Sequence, residues 1–403
     1  MVDPLREIED LVAYEGRVAG TDAERRAAVH LVERLRALGR DAELEPTRVR
    51  PAWTITHVIH AVLGIAGSLL SVSQPAIGLG LALLAAVSTF GDLTGSFFLF
   101  RRFTPGRASQ NVVSREDSGG HKPGVLVLSA HYDAARTGAV FGRRWLERRA
   151  VVSKTLRRPM APFAIFFWSL VVIVVCALLR LIGIHPFPVT VVQFVATVVL
   201  IVAVPLLLDI SLSGVVPGAN DNASGVATVM RLAQRFGGAN LLQHFELTVL
   251  FPGAEEGFLL GMRWFVRRHK KELDPSSTIF LNIDAVGHGT VRWQSKSGFV
   301  FPLAFHPTLI ELCKELDERG IASRSITDAY AARAGGYPAI SIGCTGALDY
   351  VPTYHQHSDT PEHVDPEALD RAFNFCAGLI ELIDERIGPD LERDTPETVL
   401  SEG

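Results

Sequence analysis

Two long apolar stretches interrupt a pattern that elsewhere alternates short hydrophobic runs with amphipathic segments. From Pro51 to Gly91 the chain carries no Asp, Glu, Lys or Arg, and Gln74-Pro75 breaks that run, giving spans at 52–73 and 76–98. A second uncharged run, Pro159 to Leu179, resumes after Arg180 from Leu181 to Leu208, with a break at Gly183-Ile184-His185-Pro186-Phe187-Pro188. A bilayer core takes about 20 apolar residues per helix. The pattern therefore predicts four crossings in two tight hairpins, 51–98 and 159–208. Buried helices of a soluble protein are the competing reading, but these are rarely so long and so free of charge.

About 300 residues remain outside the hairpins, enough for one large domain built from 1–50, 99–158 and 209–388, followed by a polar tail over 389–403. Short continuous apolar runs predict buried strands at Pro123–Ala130, Phe245–Phe251, Thr278–Ile283 and Pro338–Ile342. Helical periodicity predicts helices at Ala223–Phe236, Gly257–Lys271, Pro307–Arg319 and Pro366–Ile387. Thr21-Asp22-Ala23-Glu24 caps a further helix ending near Gly39. Strands alternating with helices point to an α/β fold: a central, mostly parallel sheet flanked by helices.

Composition fits a polar domain joined to a membrane segment: 20% of residues are charged, and mean hydropathy is nonetheless positive. The polar first 44 residues do not read as a secretory leader. The hairpin turns carry almost no charge, and Arg180 is placed to snorkel to an interface. The other ends carry Arg48, Arg50, Arg101, Arg102 and Arg107, then Arg143, Arg144, Arg148, Arg149, Lys154, Arg157 and Arg158. The positive-inside rule puts that side, and with it the polar domain, in the cytoplasm of a multi-pass cell-membrane protein. Asp92, near the end of the second span, is expected at the interface rather than in a contact within the bundle. The basic stretch 143–158 reads as a flank meeting anionic headgroups. Nucleic acid is not an expected partner, since the net charge is −4 and no binding motif accompanies the arginines. The four cysteines show no framework spacing; oligomeric state is not legible.

Ligand-type residues fall where such a sheet would present a site. His131 and Asp133 follow the first predicted strand, Glu255 and Glu256 the second, and Asp284 closes the third. The crevice at the carboxyl ends of strands is the usual ligand position in open α/β sheets. Glu255-Glu256 sits on a Gly-flanked turn after an apolar strand, costly for carboxylates without a cation. Asp221, in Gly218-Ala219-Asn220-Asp221-Asn222-Ala223-Ser224-Gly225, reads alone as a helix cap. Beside the other segments it suits an ion that needs bridging. In Tyr354-His355-Gln356-His357, histidines two apart point to opposite faces, so one is expected to bind. Imidazole and carboxylate donors without thiolates suit zinc.

In this order (His-x-Asp, the Asp221 loop, Glu-Glu, Asn-x-Asp, His-x-x-x-Asp-Thr) the segments resemble the co-catalytic di-zinc exopeptidases, the family of secreted bacterial aminopeptidases, aminopeptidase Y and glutamate carboxypeptidase II. The likeness spans nearly all the polar part, including Ser109-Gln110-Asn111-Val112-Val113 before the first ligand strand; the four apolar spans are the departure. The resemblance implies two zinc ions per chain. Asp221 would bridge them, His131 and Asp284 would complete one, and Glu256 and His355 the other. Asp133 would hold the His131 ring, and Glu255 would be the general base. Tyr354 resembles a tyrosine that supports the oxyanion in some members. Asp359 would orient His355.

Three functions follow from this reading. The first is a membrane-anchored zinc aminopeptidase acting on peptides. The second is a di-zinc amidohydrolase or carboxypeptidase acting on N-acyl amino acids or a lipophilic amide. The third is a non-catalytic membrane receptor or chaperone on a peptidase fold, against which the intact set of key residues speaks. A glutaminyl cyclase shares the fold but binds one zinc, which the full bridging set opposes.

Overall fold

The computed structural model describes residues 2–116, 122–155, 160–237, 241–317 and 319–394. Arg157, Arg158 and Pro159 of the second flank and the tail beyond 394 lie outside the described residues. In chain order, α1 (Pro4–Val12) and α2 (Asp22–Ala37) precede β1 (Glu43–Val49) and the first apolar hairpin, α3 (Trp53–Ser73) and α4 (Pro75–Thr94). Strands β2 (Arg107–Ser114) and β3 (Gly124–Ser129) lead to α5 (Arg143–Thr155), the second apolar hairpin α6 (Pro162–Leu181) and α7 (Phe187–Leu212), and α8 (Ser224–Phe236). Then come β4 (Phe245–Phe251), α9 (Leu260–Arg268), β5 (Thr278–Asp284), β6 (Thr290–Ser297), β7 (Leu303–Ala304) and α10 (Pro307–Leu316). The chain closes with β8 (Gly320–Ala322), α11 (Asp328–Ala334), β9 (Ala339–Thr345), α12 (Pro366–Arg386) and α13 (Gly388–Asp394).

The strands form one mixed sheet in the order β1-β2-β4-β3-β5-β9-β6-β7, with β8 beside β6. Its centre, β4-β3-β5-β9, is parallel. These are the four strands the apolar runs predict, because a strand covered on both faces must be apolar throughout. Leu126, Val127 and Leu128 of β3 have no exposed surface. The flanking antiparallel strands escape that signal: β1 alternates polar residues and contains Pro46, as edge strands do. Right-handed crossovers put α8, joining β3 to β4, on one face, and α9, joining β4 to β5 in the opposite direction, on the other.

Each hairpin is an insertion closed by strand pairing. The first leaves after β1 and returns at β2, where Val49 faces Arg107. The second leaves after β3 and returns before α8, closed by Arg136 opposite Val215 and by Thr137 N donating to Gly214 O at 3.0 Å. The four helices pack into one bundle. A side chain at Gly67 would meet the α4 backbone, with Ala82 N 2.8 Å away, so the two helices of the first hairpin approach closely. No more than half of each apolar window is buried, and Leu69, Phe194, Ile201 and Val202 lie on the open face. An apolar surface of that extent needs a bilayer or another covering.

Several expectations are corrected. The helix predicted from Gly257 starts only at Leu260, because Phe258 and Leu259 take left-handed backbone conformations (φ 76° and 61°), and it ends at Arg268. Helix α10 stops at Leu316, short of Arg319. The fourth span runs on to Leu212 and takes in Asp209, whose carboxylate accepts Ala139 N at 2.6 Å. Arg180 does not snorkel free: it donates to Gln193 at 2.8 Å and Thr190 at 2.9 Å. Asp92 is not an interface residue but is fully buried against Arg101.

Candidate metal centre

Five separate segments bring ligand-type side chains to the carboxyl end of the parallel strands. His131 follows β3, Glu255 and Glu256 follow β4, and Asp284 ends β5. Asp221 reaches them from the turn before α8, and His355 from the 346–365 loop. Asp221 splits its two oxygens: Oδ1 lies 3.3 Å from His131 Nε2, and Oδ2 lies 3.5 Å from His355 Nε2. Asp284 Oδ1 is 3.9 Å from the first imidazole, and Glu256 Oε1 is 3.3 Å from the second. Two groupings with donor atoms within 4.8 Å result, His131–Asp221–Asp284 and Asp221–Glu256–His355. They are the two sets the resemblance implies. A third grouping, His131–Glu255–Glu256, also puts Glu255 within reach of a cation.

The loop carrying Asp221 is fixed from several sides. Asp359 accepts Asn220 N at 2.8 Å and Asp221 N at 3.0 Å. It therefore positions the Asp221 loop; among the described residues its carboxylate is bonded to Asn220, Asp221 and Thr353 and not to His355, the partner the sequence suggests. Arg17, buried among carbonyls, donates to Tyr132 O (2.8 Å), Pro217 O (2.6 Å) and Gly218 O (2.8 Å). It staples the two ends of the second insertion together, so His131 and Asp221 meet although a hairpin separates them in sequence. Burial lowers its pKa to about 10, against the attraction of Asp133, Asp359 and Asp221.

Asp133 has a larger task than holding an imidazole. Its oxygens accept Glu255 N at 3.0 Å and Glu256 N at 3.1 Å, which pins the carboxylate turn. His131 Nδ1 lies 3.5 Å from the Asp133 carboxylate and 3.3 Å from its backbone oxygen. The turn is also held by buried Glu24, which accepts Ala254 N at 3.0 Å, Ser109 Oγ at 2.8 Å and Gly20 N at 2.6 Å. Burial, reinforced by Asp133, pushes that carboxyl up to about 8.

The electrostatics of the cluster call for a cation. Burial works against a charged His131, but Glu255, Asp133 and Asp221 outweigh it and hold its pKa well above the ordinary value. His355 is raised in the same way: burial opposes it, and Glu256 and Asp221 prevail. Burial pushes Glu255 well above the carboxylate range, with Glu256 and Asp328 adding to it against the pull of His131. Burial likewise lifts Asp284 up to about 7. Asp221 alone falls below its usual value: burial would raise it, but the His131 hydrogen bond and the attraction of His355 dominate. Asp221 Oδ2 has no hydrogen-bond partner among the described residues. Buried carboxylates in this number are stable when a metal takes their charge, and mixed imidazole and carboxylate donors fit zinc.

Tyr354 stacks on the His355 ring at 3.9 Å, and Phe141 packs against both rings at 5.8 and 4.5 Å. Burial, followed by Glu256 and Asp221, keeps the Tyr354 phenol protonated well beyond its ordinary range. His357 lies on the exposed side of the same loop. Sequence reasoning missed Arg17 and Asp328. Arg17 lies between Gly16 and Gly20, both with positive φ, and that spacing is the only local hint of a buried arginine. Asp328 opens α11, so it reads as a helix-start residue. Because α11 leads back into β9, its first residue lies at the carboxyl end of the sheet. Asp328 is buried there with neither oxygen hydrogen-bonded among the described residues.

Comparison with known proteins agrees with this architecture. Residues 208–380 match the model of peptidase family M28. An aminopeptidase from Aneurinibacillus sp. strain AM-1 shares the fold with a TM-score of 0.55 at 14% identity, over 95% of this chain and 94% of that chain. A zinc-dependent exopeptidase from Parabacteroides distasonis gives 0.52 at 13%, over 94% and 96%. A glutaminyl cyclase from Bacteroides thetaiotaomicron gives 0.52 at 14%, over 94% and 98%. At such identities the likeness is one of fold. No curated protein sequence matches the chain significantly. Over residues 208–380 the chain is similar to peptidase family M28, and its mixed sheet shares the fold of these solved structures, with two apolar helical hairpins set into it.

Proposed function

We propose that the protein is a membrane-anchored, two-zinc aminopeptidase that hydrolyses the N-terminal peptide bond of its substrate. One observation carries the reading: the two oxygens of Asp221 each face a different imidazole, 3.3 and 3.5 Å away. A carboxylate so placed suits two ions, with His131 and Asp284 on one and Glu256 and His355 on the other. Bound there, two zinc ions would acidify water and stabilise negative charge on the reacting carbonyl.

The chain's own groups supply the proton handling and the positioning. Glu255, on a turn fixed by Asp133, takes the proton of the attacking water and returns it to the leaving amine. Its desolvated surroundings raise its basicity, which suits a group that must take up a proton. Tyr354, half-buried and protonated beside His355, is positioned to donate to the developing oxyanion. Phe141 walls the same side and narrows access by water. The arginine-rich flanks support a cytoplasmic location for the centre.

The test uses the full chain purified in detergent. About two zinc per chain and release of amino acid from aminoacyl anilides support the reading. Activity confined to N-acylated substrates would favour the amidohydrolase, and cyclisation of N-terminal glutaminyl peptides a cyclase. An intact protein that takes up no metal would remove every hydrolytic reading.

A further inference from the structure

The turn that carries Glu255 and Glu256 is gripped from below by the first apolar hairpin. Arg101, 1% exposed, holds Asp92 of α4 through Nε at 3.0 Å and through a second, shorter bond from Nη2. Its remaining nitrogen, Nη1, donates to Gly257 O at 2.6 Å. The next carbonyl is held in the same manner. Arg263 Nε donates to Phe258 O at 3.2 Å, and its Nη1 donates to Thr94 O, the last residue of α4, at 3.1 Å. Two consecutive carbonyls of the turn are thus bound by arginines that each also hold the end of one membrane helix.

The Phe258 side chain makes the attachment apolar as well as polar. Its ring stacks on Trp53 of α3 at 4.9 Å and meets Phe163 of α6 at 5.5 Å, with Arg101 over its face at 5.2 Å. The backbone here cannot hold its shape unaided. Ala254, Phe258 and Leu259 all have φ between 54° and 76°, a region non-glycine residues seldom occupy without support from their surroundings. Asp133 and Glu24 fix the start of the turn from the domain side, and the membrane bundle fixes its end.

We propose that the first hairpin is a working part of the centre, with Arg101, oriented by Asp92, as a positioning residue for Glu255 and Glu256. A buried arginine–aspartate pair is expensive to keep in place, and breaking it leaves a buried charge unpaired. Here it has an evident use, since it orients the one guanidinium nitrogen that reaches the turn. The inference rests on the reading of Glu255 as the base, but the attachment itself can be measured without turnover.

The experiment compares wild type with Arg101→Met, Arg101→Lys, Asp92→Asn and the Asp92→Asn/Arg101→Met double variant, each as full chain in nanodiscs. Arg180→Gln, at the far end of the bundle, is the control. Arg101→Met is expected to lower kcat about 10- to 100-fold, since displacements near 1 Å cost that much. KM should stay within about threefold, and at saturating zinc the metal content should match wild type, because His131, Asp221, Asp284 and His355 are held elsewhere even where the ion beside Glu256 binds more weakly. Amide exchange across 255–259 should rise about tenfold or more while exchange in β6 stays constant. Arg101→Lys should recover part of the loss, and the double variant should be no worse than Arg101→Met, since both changes break one linkage. Unchanged kcat and unchanged local exchange in Arg101→Met would overturn the proposal. So would a uniform rise in exchange with loss of zinc, which marks a merely structural role. If wild type turns over no substrate while the local exchange response persists, the catalytic reading fails and the attachment stands.

Discussion

Replacing Asp133 with asparagine separates two jobs that one carboxylate could perform. Asp133 accepts Glu255 N and Glu256 N on its two oxygens, and it is fully buried. Asparagine keeps the shape but offers one oxygen and one amide nitrogen, so one backbone N–H meets another donor. The loss is a charge-assisted hydrogen bond, about 1.5–3 kcal/mol, with a further penalty of similar size for the stranded N–H. Partial rotation of the side chain recovers some of this, leaving about 3 kcal/mol, or roughly 100-fold. His131 is expected to be spared, because its Nδ1 lies nearer the Asp133 backbone oxygen (3.3 Å) than the carboxylate (3.5 Å). The effect should therefore fall on the Glu255–Glu256 turn. Competition against a chelator should show one of two zinc affinities weakened, the one involving Glu256. Hydrolysis of an aminoacyl anilide should show kcat/KM reduced about 100-fold. Zinc affinities and kcat/KM all within threefold of wild type would refute the argument, and weakening of the other affinity, the one involving His131, would return Asp133 to the role of imidazole holder.

Further outcomes follow from the same geometry. Glu255→Gln should retain zinc while kcat drops about 10²–10⁴-fold, the usual worth of a general base; loss of zinc along with rate would make Glu255 a ligand instead. Stripping metal with a chelator should lower the melting temperature and zinc should restore it, since each site at 100 times its Kd contributes about 2.7 kcal/mol. Burial pushes Asp328 up to about 8, and repulsion from Asp284 and Asp133 adds to this against the pull of His131 and Arg263. Its folded pKa then lies above its unfolded value of about 4, so the native state keeps the proton and the stability this gives is lost as pH rises from about 4 to 8. Denaturant titrations of the chelated protein should show that decline, and Asp328→Asn should flatten it. A tag at Gly403 should be reached by an impermeant reagent only after cells are opened; labelling of intact cells would reverse the orientation.

Much of this molecule is legible in its sequence because the informative segments are extreme in composition. The parallel strands are apolar on both faces and the four long helices are nearly uncharged, so burial in protein or lipid leaves few other readings. The ligand-type residues stand directly after those strands, and the structure brings His131, Asp221, Glu256, Asp284 and His355 into one cluster. What escapes is set by tertiary contact. Strand β1 is half polar, and its pairing with β2 spans the whole first hairpin. Arg17, Glu24 and Arg101 look like surface charges in a sequence; only the fold reveals that each is buried against backbone groups from distant segments. Asp92 misleads for the same reason. A lone acid at the end of a span suggests headgroups, whereas its partner lies nine residues on, across the turn.

The placement of the two insertions is itself an argument about the substrate. Strand β2 runs antiparallel to β4, with Val112 opposite Phe251 and Ser114 opposite Val249. Its first residue, Arg107, therefore lies beyond the carboxyl end of β4, and the first hairpin enters the domain there. The second hairpin leaves directly after β3, at the carboxyl end of that strand. Both insertions thus emerge on the side of the sheet that holds the metal centre. Insertions at the other end would have left a strand of six residues, about 20 Å, between bilayer and site. As built, Gly257 and Phe258 touch the bundle while Glu255 and Glu256 face the centre. On the proposed function, a substrate for Glu255 would come in from the side of the domain that carries the apolar hairpins, where Phe141 packs against Tyr354 and His355. Substrates with an apolar end and a free or amide-linked polar end suit that approach better than large soluble proteins, and comparing hydrolysis of lipid-tethered and free aminoacyl anilides would measure how much the approach matters.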